Sequence, residues 1–249
     1  MTKTATLADL QKIVNADAPH TRRVGATGHR LLPVAPALAS MLPAAGLRRG
    51  STVAVSGSTS FLLAVLGVPS QAGVWCAMVG FASLGVVAAA DAGIVLDRFV
   101  LVPEPGQRWQ AVTAAFLDAL DVVVVRPPEH VRGADARRLT ARARERGALL
   151  VVAGEWEGAD IRLSVTDMRW EGLGQGHGSL RVSCVLVHAW GRRGADRPCQ
   201  AHLLLPAMER VIPAPVRVPV SAGRRIADEH QTLIGVPRRS ADVVSEGAA

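Results

Sequence analysis

The sequence of 249 residues has no tyrosine and four phenylalanines, and its lysines are confined to Lys3 and Lys12. With so few aromatic residues, the core has to be built from valine, leucine, alanine and isoleucine. That composition is typical of a buried parallel sheet flanked by alanine-rich helices. The length suffices for one substantial α/β domain with short appendages, or for two small domains.

Cysteine is also scarce, with Cys76, Cys184 and Cys199 as the three thiols. Their odd number and irregular spacing favour free thiols in a reducing compartment over disulfides or a zinc site. The N-terminal residues contain no apolar run of the signal-peptide type. We therefore expect a cytoplasmic protein. The formal net charge of +7 allows an anionic partner but does not require one.

No charged residue occurs between Ser51 and Ala90, so a membrane-spanning segment is an alternative. Asp91 interrupts the most apolar part, and Gly, Ser and Pro recur throughout the stretch. We favour a soluble core over a membrane span.

From residue 51 onwards, short apolar runs alternate with helical patterns. This alternation predicts an α/β fold with a mainly parallel sheet and helices on both faces. Five strands are predicted in "STVAVSG", "VWCAMVG", "RFVLVP", "DVVVVRP" and "ALLVVAGEW". Three strand-like segments follow with short turns, "ADIRLSVTDMRWEG", "GSLRVSCVLVHAW" and "QAHLLLPA", and we expect them to form an antiparallel extension at one sheet edge.

The sequence predicts three regions. Residues 1–30 hold a short amphipathic helix and a linker, residues 31–208 form the core, and residues 209–249 form a proline-rich, flexible tail that binds a partner. Before the first long strand, "RLLPVAPALASMLP" is predicted to be helical or irregular and "AGLRRGS" to be a turn.

The stretch "VAVSGSTSFLLAVLG" has the strand, turn and helix in which nucleotide-binding proteins hold phosphates. Gly57, Ser58, Thr59 and Ser60 supply a glycine and hydroxyls, but the second glycine and the lysine of a phosphate loop are missing. No other alignment restores them, because no lysine follows Lys12. We predict a vestigial phosphate-loop turn with no cofactor.

Two further positions lack the groups needed for ATP hydrolysis. The strand "DVVVVRP" ends in Arg126 where an acidic residue would hold Mg²⁺, and Asp121 lies at the opposite end of that strand. After the second strand, "VGFAS" contains no carboxylate to activate water. We therefore expect no catalytic residue and no metal, and binding of a bare anion by Arg126 is an alternative.

Other candidate features are weaker. "GLGQGHG", residues 172–178, is glycine-rich but precedes a strand, which favours a hairpin loop over a phosphate cradle, and the seven histidines show no metal-ligand spacing. The helix "ADARRLTARARERG" is expected to have a solvated face, with DNA or an acidic protein as the alternative partner. Its five arginines are Arg137, Arg138, Arg142, Arg144 and Arg146.

The order of these elements resembles the RecA recombinase superfamily. "GLRRGSTVAVSGSTS" is similar to its phosphate-loop segment, "DRFVLVPEPGQRWQAVTAAFLDALDVVVVRPP" to the strand, turn, helix and Walker B strand, and the last three strands to its closing strands. The resemblance covers roughly residues 5–208. The segments that grip single-stranded DNA in RecA are short or missing here, and the chain most resembles the actinobacterial ImuA-prime group.

That resemblance implies a RecA-like accessory protein of the damage-inducible (SOS) mutasome, without enzymatic activity. Its implied partner is an inactive Y-family polymerase homologue of the ImuB type and, indirectly, an error-prone replicative-type polymerase and the sliding clamp. The predicted docking residues are Leu7, Leu10, Ile13 and Val14 near the N-terminus and Arg224, Arg225 and Leu233 in the tail. The alternatives are a nucleotide-binding RecA-like ATPase, a nucleic-acid-binding module and a RecA-like regulator of cell division.

Overall fold

A computed structural model describes residues 31–171, 182–192 and 197–205. An eight-stranded sheet forms its centre, in the order β10-β9-β8-β3-β7-β6-β4-β5, and a two-stranded antiparallel sheet joins β1 and β2. The predicted α/β class is confirmed. The strands are β1 Leu31–Leu32, β2 Leu47–Arg48, β3 Thr52–Ser56, β4 Cys76–Val79, β5 Phe99–Val102, β6 Val122–Val125, β7 Leu149–Ala153, β8 Ile161–Glu171, β9 Val182–Gly191 and β10 Cys199–Leu205.

Five α-helices connect or precede the strands of the parallel part, and two short 3₁₀ turns, Leu96–Arg98 and Gly106–Arg108, lie on either side of β5. The helices are α1 Pro36–Ala39, α2 Thr59–Gln71, α3 Val86–Asp91, α4 Trp109–Ala119 and α5 Gly133–Arg146. Helices α2 to α5 occupy the four segments in which the sequence pattern predicts helices. Within the described residues, no helix is long and apolar enough to cross a bilayer.

The parallel part of the sheet consists of β5, β4, β6, β7 and β3. Its central strand β6 is a run of four valines, all fully buried, because a strand covered by helices on both faces has no solvent side. Helix α2 is apolar on nearly every side and lies in the core on one face of the sheet, which explains the charge-free run without a membrane. Helices α4 and α5 contribute to a second core on the other face.

Strands β8, β9 and β10 form what we call the ribbon. Strand β8 pairs in parallel with β3 over Ile161–Ser164 and continues to Glu171, beyond the end of β3. The pairs β8–β9 and β9–β10 are antiparallel, as the sequence predicts for the closing strands. The sequence makes no prediction for the inner edge of β8, because a half-buried strand has the same alternating pattern whether its neighbour is parallel or antiparallel.

The segment before β3 is more regular than its sequence indicates. Leu31–Leu32 pairs with Leu47–Arg48, and the four-residue helix α1 lies between them. Leu32, Leu38 and Leu47 pack in the same core as α2. The predicted N-terminal helix, the loop at residues 172–178 and the tail from residue 209 lie outside the described residues.

Candidate functional site

The vestigial phosphate-loop turn is a two-residue connection, because β3 ends at Ser56 and α2 begins at Thr59. The Ser58 hydroxyl caps α2 by accepting a hydrogen bond from the Phe61 amide at 3.1 Å. Gly57 has φ +91°, and a Cβ atom there would clash with the Val165 carbonyl oxygen of β8. The turn is therefore fixed against the ribbon and too short to surround a triphosphate.

Arg126 directly follows β6 and points its side chain at this turn. One guanidinium nitrogen, Nη2, donates a hydrogen bond to Thr59 Oγ1 at 2.9 Å. The guanidinium carbon also lies 4.3 Å from the centre of the buried Phe81 ring. The backbones of Gly80 and Arg126 also approach each other closely, since a Cβ on Gly80 would lie 2.5 Å from the Arg126 carbonyl oxygen.

The contacts of Arg126 join the three positions that the sequence analysis treats separately. Thr59 belongs to the phosphate-loop turn, Arg126 stands where a metal-binding acid is expected, and Phe81 lies in the "VGFAS" segment. A guanidinium at the N-terminus of α2 adds to the positive end of the helix dipole and repels a divalent cation. The arrangement disfavours Mg²⁺ chemistry, while the positive potential is compatible with a bare anion.

Three carboxylates that were not predicted as site residues lie at the carboxyl ends of the parallel strands, as Arg126 does. Glu104, Glu129 and Glu155 come soon after β5, β6 and β7, and all three are exposed. The carboxyl ends of parallel strands meet at one edge, so the position of each acid just after a strand was the available signal. Among the described residues, however, no group of three or more His, Cys, Asp or Glu side chains could hold a metal ion.

Asp121 lies just before β6, at the opposite edge of the sheet from Arg126, as its place in the sequence indicates. Its carboxylate forms an ion pair with Arg49, and both side chains are largely buried. Burial, with a smaller contribution from Asp121, raises the pKa of the Cys76 thiol to about 12. The Arg49–Asp121 ion pair and the buried Cys76 thiol are therefore structural features at the amino-terminal ends of the strands.

The arginine-rich helix α5 uses two of its five arginines to bind α4. Arg142 donates two hydrogen bonds to Asp118, with Nε 2.8 Å from Oδ1, and Arg146 Nε lies 2.9 Å from the same oxygen. The hydrogen bond from Arg142 is the main reason that the pKa of Asp118 is lowered, and the same bond raises the pKa of Arg142. This cluster joins two helices on one face of the sheet.

The other three arginines of α5 are exposed. Arg137 approaches Glu157 at 4.0 Å with both side chains about 70% exposed, a pair of little energetic value. Within the described residues, Arg138 and Arg144 form no ion pair with a carboxylate. The cationic surface of α5 that remains for an anionic partner is thus reduced to Arg137, Arg138 and Arg144.

None of the residues predicted to dock a partner can be located. Leu7, Leu10, Ile13 and Val14 precede the described residues, and Arg224, Arg225 and Leu233 follow them. Those assignments stay predictions.

Two comparisons with known proteins bear on the core. A family model, the MT3502 N-terminal domain, matches residues 40–158. A protein of Mycobacterium tuberculosis, the uncharacterized protein Rv3395c, is 37% identical over 117 residues, which are 46% of this chain and 57% of the relative. The matched stretch thus spans somewhat more than half of that relative's length. The family-model match includes β3 to β7 and Arg126, and it ends before the ribbon.

Proposed function

We propose that this chain is a non-catalytic, RecA-like accessory protein of the ImuA-prime type. In this role it binds an inactive Y-family polymerase homologue of the ImuB type and supports error-prone translesion synthesis by a replicative-type polymerase on its sliding clamp. The single observation that carries the non-catalytic part is the contact of Arg126 with Thr59 and Phe81. A cationic side chain takes the place where phosphate chemistry needs a metal-binding carboxylate.

The order of the elements supports the RecA-like part of the proposal. In the main sheet, a strand, a turn and a buried helix come first, a valine strand directly followed by Arg126 comes fourth, and antiparallel strands close the sheet. This is the order on which the resemblance to RecA rests. The partner and the pathway rest on the resemblance alone.

Calorimetry with ATP and Mg²⁺ tests the non-catalytic assignment. We expect no metal-dependent binding at micromolar concentrations, because the turn has two residues and the neighbouring charge is positive. Micromolar binding that requires Mg²⁺ would overturn the proposal and favour the ATPase alternative.

Capture of the ImuB-type partner by the purified chain tests the scaffold assignment. Leu10→Asp places a charge on the apolar side of the predicted N-terminal helix, and Gln11→Asp is its matched control on the polar side. In the tail, the pair Arg224→Glu and Arg225→Glu is matched by Arg238→Glu and Arg239→Glu. We expect that Leu10→Asp, the double reversal of Arg224 and Arg225, or both will abolish capture of the partner. Both control variants should retain it.

Full capture by a chain that carries Leu10→Asp, Arg224→Glu and Arg225→Glu together would contradict the predicted docking residues. Failure of the wild-type chain to bind any ImuB-type protein would contradict the proposed partner itself.

Nucleic-acid binding is a second candidate function, favoured by the exposed Arg138 and Arg144 on α5. Binding to DNA phosphates weakens steeply with salt, so a fluorescence titration at two salt concentrations measures it. The charge reversals Arg138→Glu and Arg144→Glu should abolish the binding. The control Arg98→Glu reverses an exposed arginine on the 3₁₀ turn before β5, away from α5.

A further inference from the structure

The two faces of the ribbon differ in burial. On one face, side chains such as Val185, Val187 and Leu203 are fully buried against the core around α2. On the opposite face the side chains of β9 and β10 from Cys184 onwards are half-buried, and we call this the open face. Its members on these two strands are Cys184, Leu186, His188, Trp190, Gln200, His202 and Leu204.

The helical layer on that side stops before the ribbon. Among the described residues, the core formed by α4, α5 and Trp156 includes Ala54 of β3 and no residue of β8, β9 or β10. At this boundary, Arg162 Nη2 of β8 donates a hydrogen bond to the Trp156 carbonyl oxygen at 3.1 Å. The open face therefore begins where the cover by the described helices ends.

The chemistry of the open face is suited to an apolar, extended chain. Trp190, Leu186 and Leu204 offer apolar surface, and the Cys184 thiol lies 3.8 Å from Nδ1 of His202. Partial burial already lowers the pKa of His188, so its neutral form is favoured. In the described part of this face the charged side chains, Arg162, Asp167 and Arg169, all lie on β8.

The chain itself supplies such a segment a few residues after β10. Residues 213–220, "PAPVRVPV", combine three prolines with three valines and one arginine. Proline-rich segments adopt an extended helix that packs on aromatic side chains, and they cannot enter the middle of a sheet ladder. We call residues 213–220 the docking segment.

The distance from the end of β10 to Trp190 is within reach of this segment. Seven residues of β10 separate its two ends, which is roughly 20 Å at about 3.4 Å per residue. Residues 206–212 extend roughly 23 Å at about 3.3 Å per residue. A linker this short also gives an effective concentration of about millimolar, which favours the chain's own segment over a second copy.

We propose that the docking segment folds back along β10 and covers the open face around Trp190 and Leu186. The proposal does not rest on the proposed function. The predicted docking residues Arg224, Arg225 and Leu233 are not part of the docking segment and follow it in the sequence.

Maleimide labelling of Cys184, followed by mass spectrometry of the full chain, tests this proposal. Cys184 lies on the open face, whereas Cys199 lies on the other side of the ribbon, 3.3 Å from the Met41 carbonyl oxygen, and Cys76 is fully buried. The double variant Val216→Asp and Val218→Asp should raise the labelling rate of Cys184 about tenfold, because a charged segment leaves an apolar face. Cys199 and Cys76 should not change.

The matched control is Val243→Asp with Val244→Asp, which puts the same charges later in the tail. It should leave the rate for Cys184 unchanged. Equal rates in the wild type and both variants would overturn the proposal. The labelling rate of Cys184 could instead fall as the protein concentration rises and be the same with and without Val216→Asp and Val218→Asp. That result would also overturn the proposal and would show that a second copy covers the face.

Limited trypsin digestion gives the reciprocal measurement. Leu186→Asp on the open face should speed cleavage after Arg217, inside the docking segment, about tenfold. Cleavage after Arg225 and Arg239 should keep its rate in the same digest. An unchanged rate after Arg217 contradicts the proposal even if the labelling result is positive.

Discussion

The parallel part of the sheet and the ribbon are built from similar residues, yet they differ in how many of their faces the helices cover. Strand β6 has four valines, and all are buried because helices lie on both sides. Strand β9 alternates buried and half-buried residues because helical cover reaches one side among the described residues. The parallel part is therefore covered on both faces, whereas the ribbon is covered by the described helices on one.

The family-model match follows the same boundary. The family-model match ends at residue 158, just before β8 begins at Ile161. The parallel part is thus the part that this chain shares with the matched domain. Four predictions test the contrast between the two parts, in order of decreasing effect.

The largest expected effect separates neighbouring residues of β9. Val187→Asp puts a carboxylate into the fully buried face and should lower the free energy of unfolding by more than about 4 kcal/mol. Leu186→Asp, one residue away on the open face, should cost about 1 kcal/mol. Urea unfolding of both variants measures the contrast, and equal losses would contradict the assignment of the two faces.

The connection between the two parts is tested at Gly57. Gly57→Ala introduces a Cβ that clashes with Val165 of the ribbon, at a φ that L-residues avoid, and should cost about 2–3 kcal/mol. Gly158→Ala has a similar φ of +80° but open space, so it should cost about 1 kcal/mol. Thermal unfolding of the two variants should give clearly different midpoints, and matching midpoints would exclude the close approach to β8.

Within the helical layer, Asp118→Asn should cost about 0.5–1 kcal/mol at pH 7, since the side chains are partly exposed. The pKa of Asp118 is lowered in the folded state, so its contribution is present above the pKa of the unfolded chain and disappears as the pH falls through the folded value. The difference between wild type and variant should therefore shrink below about pH 4.

Urea unfolding at pH 7 and pH 3 measures that difference. Asp91→Asn, an exposed carboxylate on α3, serves as the control and should show little effect at either pH. A difference that grows on acidification would contradict the role of Asp118.

The smallest effect is expected at the candidate site. Arg126→Ala removes an exposed hydrogen bond and a contact with the Phe81 ring and should cost about 0.5 kcal/mol. Arg132→Ala, another exposed arginine, is the matched control. A loss above about 2 kcal/mol in chemical denaturation would mean that Arg126 supports the core of the parallel part.

Sequence patterns predicted the parallel part well, because runs such as the four valines of β6 and the apolar α2 have lengths typical of single elements. The partners of Arg126 were not predictable, since Arg126 and Thr59 are 67 residues apart and meet through sheet pairing alone. Strands β1 and β2 escaped prediction because two residues are too short for any alternation. Helices α4 and α5 cover the sheet as far as β3. This limit depends on the order of the strands in the sheet, which no local sequence pattern predicts.

The central position of β3 has a consequence for synthesis on the ribosome. In the chain, β3 is the first of the eight strands of the main sheet. Its two neighbours in the sheet, β7 and β8, are the fifth and sixth of those strands. About 90 residues separate β3 from β7, so at about 5–20 residues per second both edges of β3 wait roughly 5–20 s for their partners. During that interval the apolar helix α2 also lacks most of the sheet that it covers. We therefore expect the nascent chain to expose apolar surface for longer than a protein whose strands pair in order.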